Sequence, residues 1–268
     1  MDRETTLLDW YARVRRPLPW RFTRDPYALL VSEVMLQQTQ AARVVPYYEA
    51  FLARFPDAGA AASAPVRDVL AAWSGLGYNR RALALRAAAG VVAEHGWPGA
   101  LEELPGVGPY TAAAVASFAW DAQVAAVDTN VRRVIARWDG RERAPRALAA
   151  RAAELLPAGR AGEWNQAMME LGATVCTPRA PRCDACPVRP SCIGPHAVPA
   201  RPRGRAERFE DSDRWARGRI VAALVAGGPP PDDLDPDRRE RALSGLERDG
   251  LVVRGEDGIP HLPDGHPG

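Results

Sequence analysis

Apolar side chains recur at helical spacing through most of the first 175 residues. In YALLVSEVMLQQTQ, apolar Leu30, Val31, Val34 and Met35 follow Pro26 at intervals of three or four, and a second helix is predicted for PYYEAFLARF. No run alternates as a β-strand does until about residue 250. The pattern therefore predicts an all-α region with further helices at 65–74, 79–95, 110–119, 129–138, 146–156 and 163–172.

The helical pattern stops around 194–212, where GPHAVPARPRGRAERFEDSD is rich in proline and arginine. This composition is typical of a linker or an extended arm. Two helical segments and a short hairpin come after it. That order predicts a small, winged-helix-like region at the C-terminal side of the linker.

Composition places the chain among ordinary globular proteins, with 47% hydrophobic and 25% charged residues in 268. No apolar run reaches the roughly 18 residues of a membrane span, so no membrane association is expected. The first residues, MDRETTLLDWYARVRR, lack the apolar core of a secretory signal. A cytoplasmic location is expected.

Lysine does not occur: all 35 basic Lys+Arg residues are arginine. A GC-rich genome accounts for this bias. Its chemical consequence is that no side-chain amine can form a Schiff base with a sugar or carbonyl substrate.

All four cysteines fall in one short run, CTPRAPRCDACPVRPSC, with the spacing C-x6-C-x2-C-x5-C. In a cytoplasmic protein this density points to a metal site, because disulfides are disfavoured there. Structural zinc and a 4Fe–4S cluster are both held by four thiolates. Spacing alone does not separate them. The four candidate ligands are Cys176, Cys183, Cys186 and Cys192.

The glycines of LPGVGPYTAAAV, Gly106 and Gly108, lie between two predicted helices. A dinucleotide-binding loop is excluded, since no strand precedes it and the third glycine is missing. A plain turn between helices remains possible. The alternative is a site where backbone N–H groups meet a phosphate at the start of a helix.

Two carboxylates stand out by position. Glu33 lies in an apolar helix, where burial without a partner would raise its pKa. Asp128 begins DTNVRRVIARW as a helix N-cap, where the helix dipole favours its charged form. An ion pair or a surface position would explain Glu33 without any function. Helix capping alone would explain Asp128. Together, a protonatable and an ionised carboxylate form the pair that glycosidic bond cleavage needs.

The segment SEVMLQQTQ at 32–40 resembles the MutY-type adenine glycosylases almost letter for letter, whereas endonuclease III relatives differ there. LPGVGPYTAAAV, VDTNVRRV, WNQAMMELGA and the cysteine run come after it in the same order, so the resemblance covers about residues 7–195. It implies an all-α, two-lobed helix-hairpin-helix DNA glycosylase with an iron–sulfur cluster loop, plus the small winged-helix-like C-terminal tail.

The domains expected from the resemblance are four. They are an iron–sulfur domain of 1–24 and 129–195, a six-helix domain of 25–128 with the hairpin at about 101–119, a linker at 196–212, and the C-terminal region at 213–268.

The resemblance also implies roles for single positions. Glu33 is expected to protonate a flipped-out adenine, and Asp128 to stabilise the oxocarbenium, by charge or as a transient adduct, before water attacks. Asn130 and Tyr110 are expected to hold that region of the site. For Trp20 and Tyr78 core packing is a competing explanation. Contacts to the adenine pocket or the DNA are expected from Trp20, Arg21, Leu36, Gln37, Gln38, Thr39, Tyr78, Gly106, Gly108 and Gln166, with Gln38 and Tyr78 wedging into the base stack.

By the same resemblance the cysteine run is expected to hold a 4Fe–4S cluster. Bifunctional relatives have a lysine where this chain has Tyr110, so a monofunctional enzyme without Schiff-base lyase activity is expected. The expected partner is double-stranded DNA with A·8-oxoguanine or A·G mispairs, bound by a monomer in the nucleoid.

Many relatives carry a Nudix-like domain that recognises 8-oxoguanine, and the roughly 55 residues after the linker are too short for one. Two other functions stay open at this point. One is thymine removal from T·G mispairs, against which MLQQTQ argues. The other is a non-catalytic iron–sulfur DNA-binding module, against which the presence of both Glu33 and Asp128 argues.

Overall fold

The computed structural model describes residues 2–194 and 208–263, so most of the predicted linker at 196–212 lies outside the described residues. The described residues form twelve α-helices and one two-stranded hairpin. In chain order the helices are α1 (Arg3–Val14), α2 (Pro26–Leu36), α3 (Ala41–Arg54), α4 (Ala58–Ser63), α5 (Val66–Trp73), α6 (Arg80–His95), α7 (Pro109–Trp120), α8 (Thr129–Trp138), α9 (Pro145–Glu154), α10 (Ala161–Thr174), α11 (Asp213–Val225) and α12 (Pro236–Arg248).

The strands are β1 (Val253–Arg254) and β2 (Pro260–His261), which pair antiparallel. The all-α prediction is therefore confirmed, and the helix–helix–hairpin order after the linker is also as predicted. Two helices were not predicted, α1 and α4. Among the described residues, no helix combines the length and apolarity needed to cross a membrane.

The chain divides into two compact units by its backbone contacts. Of the described residues, the first comprises 2–29 and 108–194, and the second comprises 30–107 and 208–263. The chain passes from the first unit to the second inside α2, and it returns to the first unit in the glycine hairpin. Each unit is therefore built from discontinuous segments. The domain boundaries expected from sequence stay a prediction.

In the first unit, α10 packs against α1, α7 and α8. Helix α8 has apolar residues at Val131, Val134, Ile135 and Trp138, which is the spacing of a single helical face, and all four are buried. They join the core that also contains residues of α1 and α10. Packing of this face fixes the position of α8 in the unit, and with it the position of Asp128, the N-cap residue of the helix.

In the second unit, α6 packs against α4 and α5, and α3 packs against α5. Phe51 and Trp73 are fully buried and meet edge to face, with ring centroids 6.2 Å apart. Helix α11 packs against both α12 and α5, so the C-terminal helices belong to this unit. Arg67 of α5 donates a hydrogen bond of 3.3 Å to the carbonyl of Val225 at the end of α11.

Candidate active site

Asp128 is the N-cap of α8, as predicted. Its Oδ1 accepts the backbone N–H of Val131 at 2.7 Å, and its Oδ2 accepts Nδ2 of Asn130 at 2.7 Å. Burial raises the pKa of Asp128, and the hydrogen bonds from Val131 and Asn130 oppose that rise without cancelling it. The expected lowering by the helix N-terminus is thus outweighed by desolvation of the carboxylate.

A chain of hydrogen bonds leads from this carboxylate towards the cysteine run. Asn130 Oδ1 accepts Nη2 of Arg133 at 2.8 Å, and Nε of Arg133 donates to the carbonyl of Cys176 at 2.7 Å. The same guanidinium donates to the carbonyl of Gly172 at 2.7 Å. A Cβ at Gly172 would lie 2.5 Å from Cβ of Asn130, so α10 approaches α8 here as only glycine permits.

Tyr110 lies in the first turn of α7 and is partly buried. Its hydroxyl is 3.9 Å from Sδ of Met169, and both residues pack against the small cluster of Ala113, Ala114 and Ala126. The position at which bifunctional relatives have lysine is therefore filled by an aromatic ring with an apolar surround. It offers no amine.

Arg21 and Gln166 of the predicted adenine pocket contact two residues that sequence reasoning missed. Arg21 pairs with Glu170, and Arg16 Nε donates to the same carboxylate at 2.8 Å. The hydroxyl of Tyr11 donates to Oε1 of Gln166 at 2.7 Å, and the Arg21 guanidinium carbon lies 5.5 Å from the Tyr11 ring centroid. The sequence feature that could have identified Glu170 is its position as an acidic residue among the apolar residues of α10.

Glu170 is fully buried. Burial pushes its pKa up, but the hydrogen bonds and charges of Arg16 and Arg21 outweigh it and hold the pKa below its ordinary value. Glu170 therefore stays ionised and fixes Arg21 in place. Trp20, beside Arg21, is 6% exposed, so its ring is mainly a packing surface.

Glu33 lies in α2 and is 4% exposed, in agreement with the apolar helix that predicted its burial. Leu36 ends the same helix and is partly buried. Gln37, Gln38 and Thr39 lie in the turn after the helix, partly or fully exposed. The motif MLQQTQ thus begins inside the core and ends at the surface.

Gln38 and Tyr78, the two residues expected to wedge into DNA, share an unusual backbone. Their φ angles are 61° and 51°, and Asp121 is the only other non-glycine residue of the described chain with a positive φ. Left-handed backbone is costly for a side-chain-bearing residue and tends to mark functional sites. Tyr78 is also 41% exposed, so core packing does not explain it.

Arg81 connects the loops that carry these two residues, and sequence reasoning missed it. Its Nη1 donates to the carbonyl of Val34 at 2.7 Å and also to that of Gln37. Its Nη2 donates to the carbonyl of Gly77 at 3.1 Å. Burial lowers the pKa of Arg81, whose guanidinium carbon lies 5.3 Å from the Tyr78 ring centroid.

The glycine hairpin joins Leu101–Glu103, a 3₁₀ turn, to α7. Gly106 has φ +75°, and a Cβ there would lie 2.6 Å from Cβ of Ala84. Gly108 is the N-cap of α7, and both glycines are exposed. An exposed helix start with glycines at its entry is the arrangement by which backbone N–H groups bind a phosphate.

The four cysteines are all free and partly buried. Burial raises the pKa of the Cys186 thiol, and the proximity of the other three cysteines raises it further. Across residues 2–194 and 208–263, no three His, Cys, Asp or Glu side chains are arranged as a group that could hold a metal ion. The metal identity expected from sequence stays a prediction.

One buried arginine contacts the cysteine run. Arg137 is 3% exposed, and its Nη1 lies 3.3 Å from Sγ of Cys176. Its guanidinium also donates to the carbonyls of Thr177 and Pro178, at 2.8 and 3.0 Å. Its Nε is buried without a hydrogen-bond partner in the described part of the chain. The guanidinium of Arg137 therefore lies beside one of the four cysteines of the run.

Comparison with known proteins gives the family of the chain. Residues 31–158 match the family described as HhH-GPD superfamily base excision DNA repair protein. An adenine DNA glycosylase of Mycobacterium tuberculosis is 44% identical, over 97% of this chain and 93% of its own. The adenine DNA glycosylase of Mycolicibacterium smegmatis is 43% identical, over 94% and 93%.

Among solved structures, a thermostable thymine-DNA glycosylase superimposes with a TM-score of 0.65 and 32% identity, covering 70% of this chain and 92% of that one. The sequence relatives span nearly the whole chain at higher identity and bear a different base specificity in their names. The chain therefore belongs to the adenine DNA glycosylases of the HhH-GPD superfamily of base-excision DNA repair proteins.

Proposed function

We propose that this DNA glycosylase removes adenine opposite 8-oxoguanine or guanine by hydrolysing the N-glycosidic bond of a flipped-out nucleotide. The observation that supports it most is Asp128, a carboxylate held at a helix N-terminus by Val131 and Asn130 and desolvated by its surroundings. The choice of adenine as the excised base rests on the relatives that are named adenine DNA glycosylases.

Glu33 protonates a ring nitrogen of the adenine, so that the base leaves as a neutral species. Its position in α2 supports this role, because the carboxyl is 4% exposed and is thus shielded from bulk water. The N-glycosidic bond then breaks with its electron pair on the base. Positive charge develops on the sugar as an oxocarbenium ion.

Asp128 stabilises that cation. In a shielded site the attraction between carboxylate and oxocarbenium is stronger than in water, and fixed hydrogen-bond donors hold the carboxylate without reorganisation. Asn130 orients it and is oriented in turn by Arg133. Tyr110 packs beside Met169 in the same unit and bounds this region without offering a nucleophile. Water then attacks the anomeric carbon of the sugar, loses a proton to solvent, and leaves an abasic site.

The DNA contacts are proposed for two surface features. Backbone N–H groups at Gly106 and Gly108 bind a phosphate and position the duplex without reading its sequence. Gln38 and Tyr78 enter the base stack. Their strained backbone and exposure support this role. Contacts to the adenine or to the DNA beside it are proposed for Trp20, Arg21, Leu36, Gln37, Thr39 and Gln166.

We also propose that Cys176, Cys183, Cys186 and Cys192 hold a 4Fe–4S cluster. Such a cluster supplies a structural cross-link and electron-transfer chemistry to the loop that carries it. The buried guanidinium of Arg137 against Cys176 supports an anionic occupant. Purified protein is expected to be brown, with a broad absorbance band at about 410 nm. Colourless protein with stoichiometric zinc contradicts the proposal.

The decisive assay is single-turnover excision on three duplexes, containing A·8-oxoguanine, A·G or T·G. We expect adenine release by the wild type and none by Glu33→Gln. Glu49→Gln, an exposed glutamate of the same unit, is the matched control and is expected to keep full activity. Thymine release from T·G alone supports the thymine-specific alternative. No release from any duplex supports a binding module.

A further inference from the structure

A cavity of about 650 Å³ opens within the second unit. One wall consists of the loops that carry Gln38 and Tyr78, and the other consists of α11 and the residues before it. No site residue was expected on α11. The volume lies within the range of about 300–1,000 Å³ that is usual for small-ligand sites.

The cavity wall combines aromatic rings with positive charge. Three guanidinium groups contribute to it, from Arg43, Arg214 and Arg219, and the described lining residues include no aspartate or glutamate. Of these arginines, Arg219 pairs with Asp233 at 2.7 Å. Rings that stack and cations that bind phosphate are the combination by which proteins hold nucleotides of unpaired nucleic acid.

Arg214 lies between two exposed aromatic rings. Its guanidinium carbon is 5.0 Å from the ring centroid of Tyr78 and 4.9 Å from that of Phe209. Its Nη1 also donates to the hydroxyl of Tyr78. Tyr78 is 41% and Phe209 49% exposed, so parts of both rings are open to a ligand. An arginine fixed in this way loses little conformational entropy when a phosphate binds.

We propose that this cavity binds an unstacked nucleotide of the DNA duplex, with its base against Phe209 and Tyr78 and its phosphate at Arg214. The inference rests on the proposed function, because Gln38 and Tyr78, which line the cavity, are the residues proposed to enter the base stack. It adds the C-terminal helices to the DNA interface and gives Arg214 a second role, which is to position the Tyr78 ring.

The test measures duplex binding by fluorescence anisotropy, using a stable tetrahydrofuran abasic analogue opposite guanine. This duplex has no base to lose, so the readout does not depend on excision. We expect Arg214→Ala and Phe209→Ala each to raise Kd about tenfold, and Arg214→Lys to raise it less. Arg248→Ala removes an exposed arginine of α12 outside the cavity wall and is expected to change Kd less than about twofold.

Circular dichroism and thermal unfolding verify that each variant folds; since both side chains are exposed, we expect no change in fold. An unchanged Kd in Arg214→Ala and Phe209→Ala overturns the proposal. An increase in Kd for Arg248→Ala as large as that for Arg214→Ala also overturns it. Competition by micromolar dAMP or dGMP that the same variants abolish overturns it in favour of a mononucleotide site. A wild type that binds this duplex but releases no base from the A·8-oxoguanine, A·G or T·G duplexes contradicts the proposed function and leaves the cavity test intact.

Discussion

Asp128 has to satisfy two opposing requirements, because the charge proposed to stabilise the oxocarbenium is costly to keep away from water. Its pKa is raised by burial, so the folded protein binds the proton more tightly than the unfolded chain does. The associated stability is fully present below the unfolded pKa and is lost as the pH rises through the folded pKa. At neutral pH the carboxylate therefore destabilises the fold.

Asp128→Asn keeps the N-cap acceptor for Val131 and removes the titrating carboxyl, so we expect loss of excision and a free energy of unfolding that rises relative to that of the wild type as the pH increases. The gain should shrink as the pH falls towards the ordinary pKa of aspartate. Denaturant unfolding at several pH values measures it. Asp57→Asn, at the exposed N-cap of α4, is the control and should show no comparable gain.

The pKa of Glu170 is shifted in the opposite direction to that of Asp128. Its folded pKa is lowered, so its stabilisation is present above the unfolded pKa and is lost as the pH falls through the folded pKa. Glu170→Gln leaves Arg21 beside a neutral group, and we expect a loss of about 3 kcal/mol at neutral pH, which diminishes in acid. Glu163→Gln, which breaks the exposed pair with Arg160, should cost less than about 1 kcal/mol. Equal costs in urea unfolding would contradict the stabilising role of the buried pair.

At the scale of elements, the end of α2 and the start of α6 are linked by one side chain. Arg81→Ala removes the donors to the carbonyls of Val34 and Gly77. We expect faster amide hydrogen exchange in both loops, 36–39 and 75–79, and a loss of about 1–3 kcal/mol in stability. Arg80→Ala, an exposed neighbour, should leave exchange unchanged. Faster exchange in only one loop would show that Arg81 does not link them.

The glycine hairpin offers a paired comparison of two nearby positions. Gly106→Ala places a Cβ at positive φ and 2.6 Å from Ala84, so we expect a loss of about 1–3 kcal/mol in the free energy of unfolding. Gly108→Ala meets nothing within 4 Å, at an ordinary φ of −91°, and should cost less than about 1 kcal/mol. Urea unfolding of both variants measures the difference. A reversed order would disprove the geometry of the turn.

Sequence periodicity identified the elements whose apolar positions lie on one helical face, such as α8. It did not identify α4, because AGAAAS has only small side chains and no apolar face to recognise. It also did not identify α1, whose mean hydropathy is low despite buried Leu7, Leu8 and Tyr11. The links made by Arg81 and Glu170 were likewise not predictable, since each depends on residues far away in the chain.

For the whole molecule, we propose that the absence of lysine leaves the abasic site uncleaved. Without a side-chain amine the enzyme cannot form a stable Schiff base with the sugar, and Tyr110 occupies the relevant position. We expect borohydride treatment during turnover to trap no substantial protein–DNA adduct, and the product strand to stay intact until alkali is added. A strong adduct that Glu33→Gln abolishes would contradict the monofunctional mechanism.

The discontinuous second unit has a consequence for biosynthesis. Residues 30–107 leave the ribosome early, whereas α11, which packs on α5, is made more than a hundred residues later. The face of α5 that meets α11 is therefore uncovered for much of synthesis. Domains usually fold as units during translation, N-terminal segments first. In this protein the face of α5 that contacts α11 stays uncovered until the last helices are made, so translation arrest before α11 leaves the second unit incomplete.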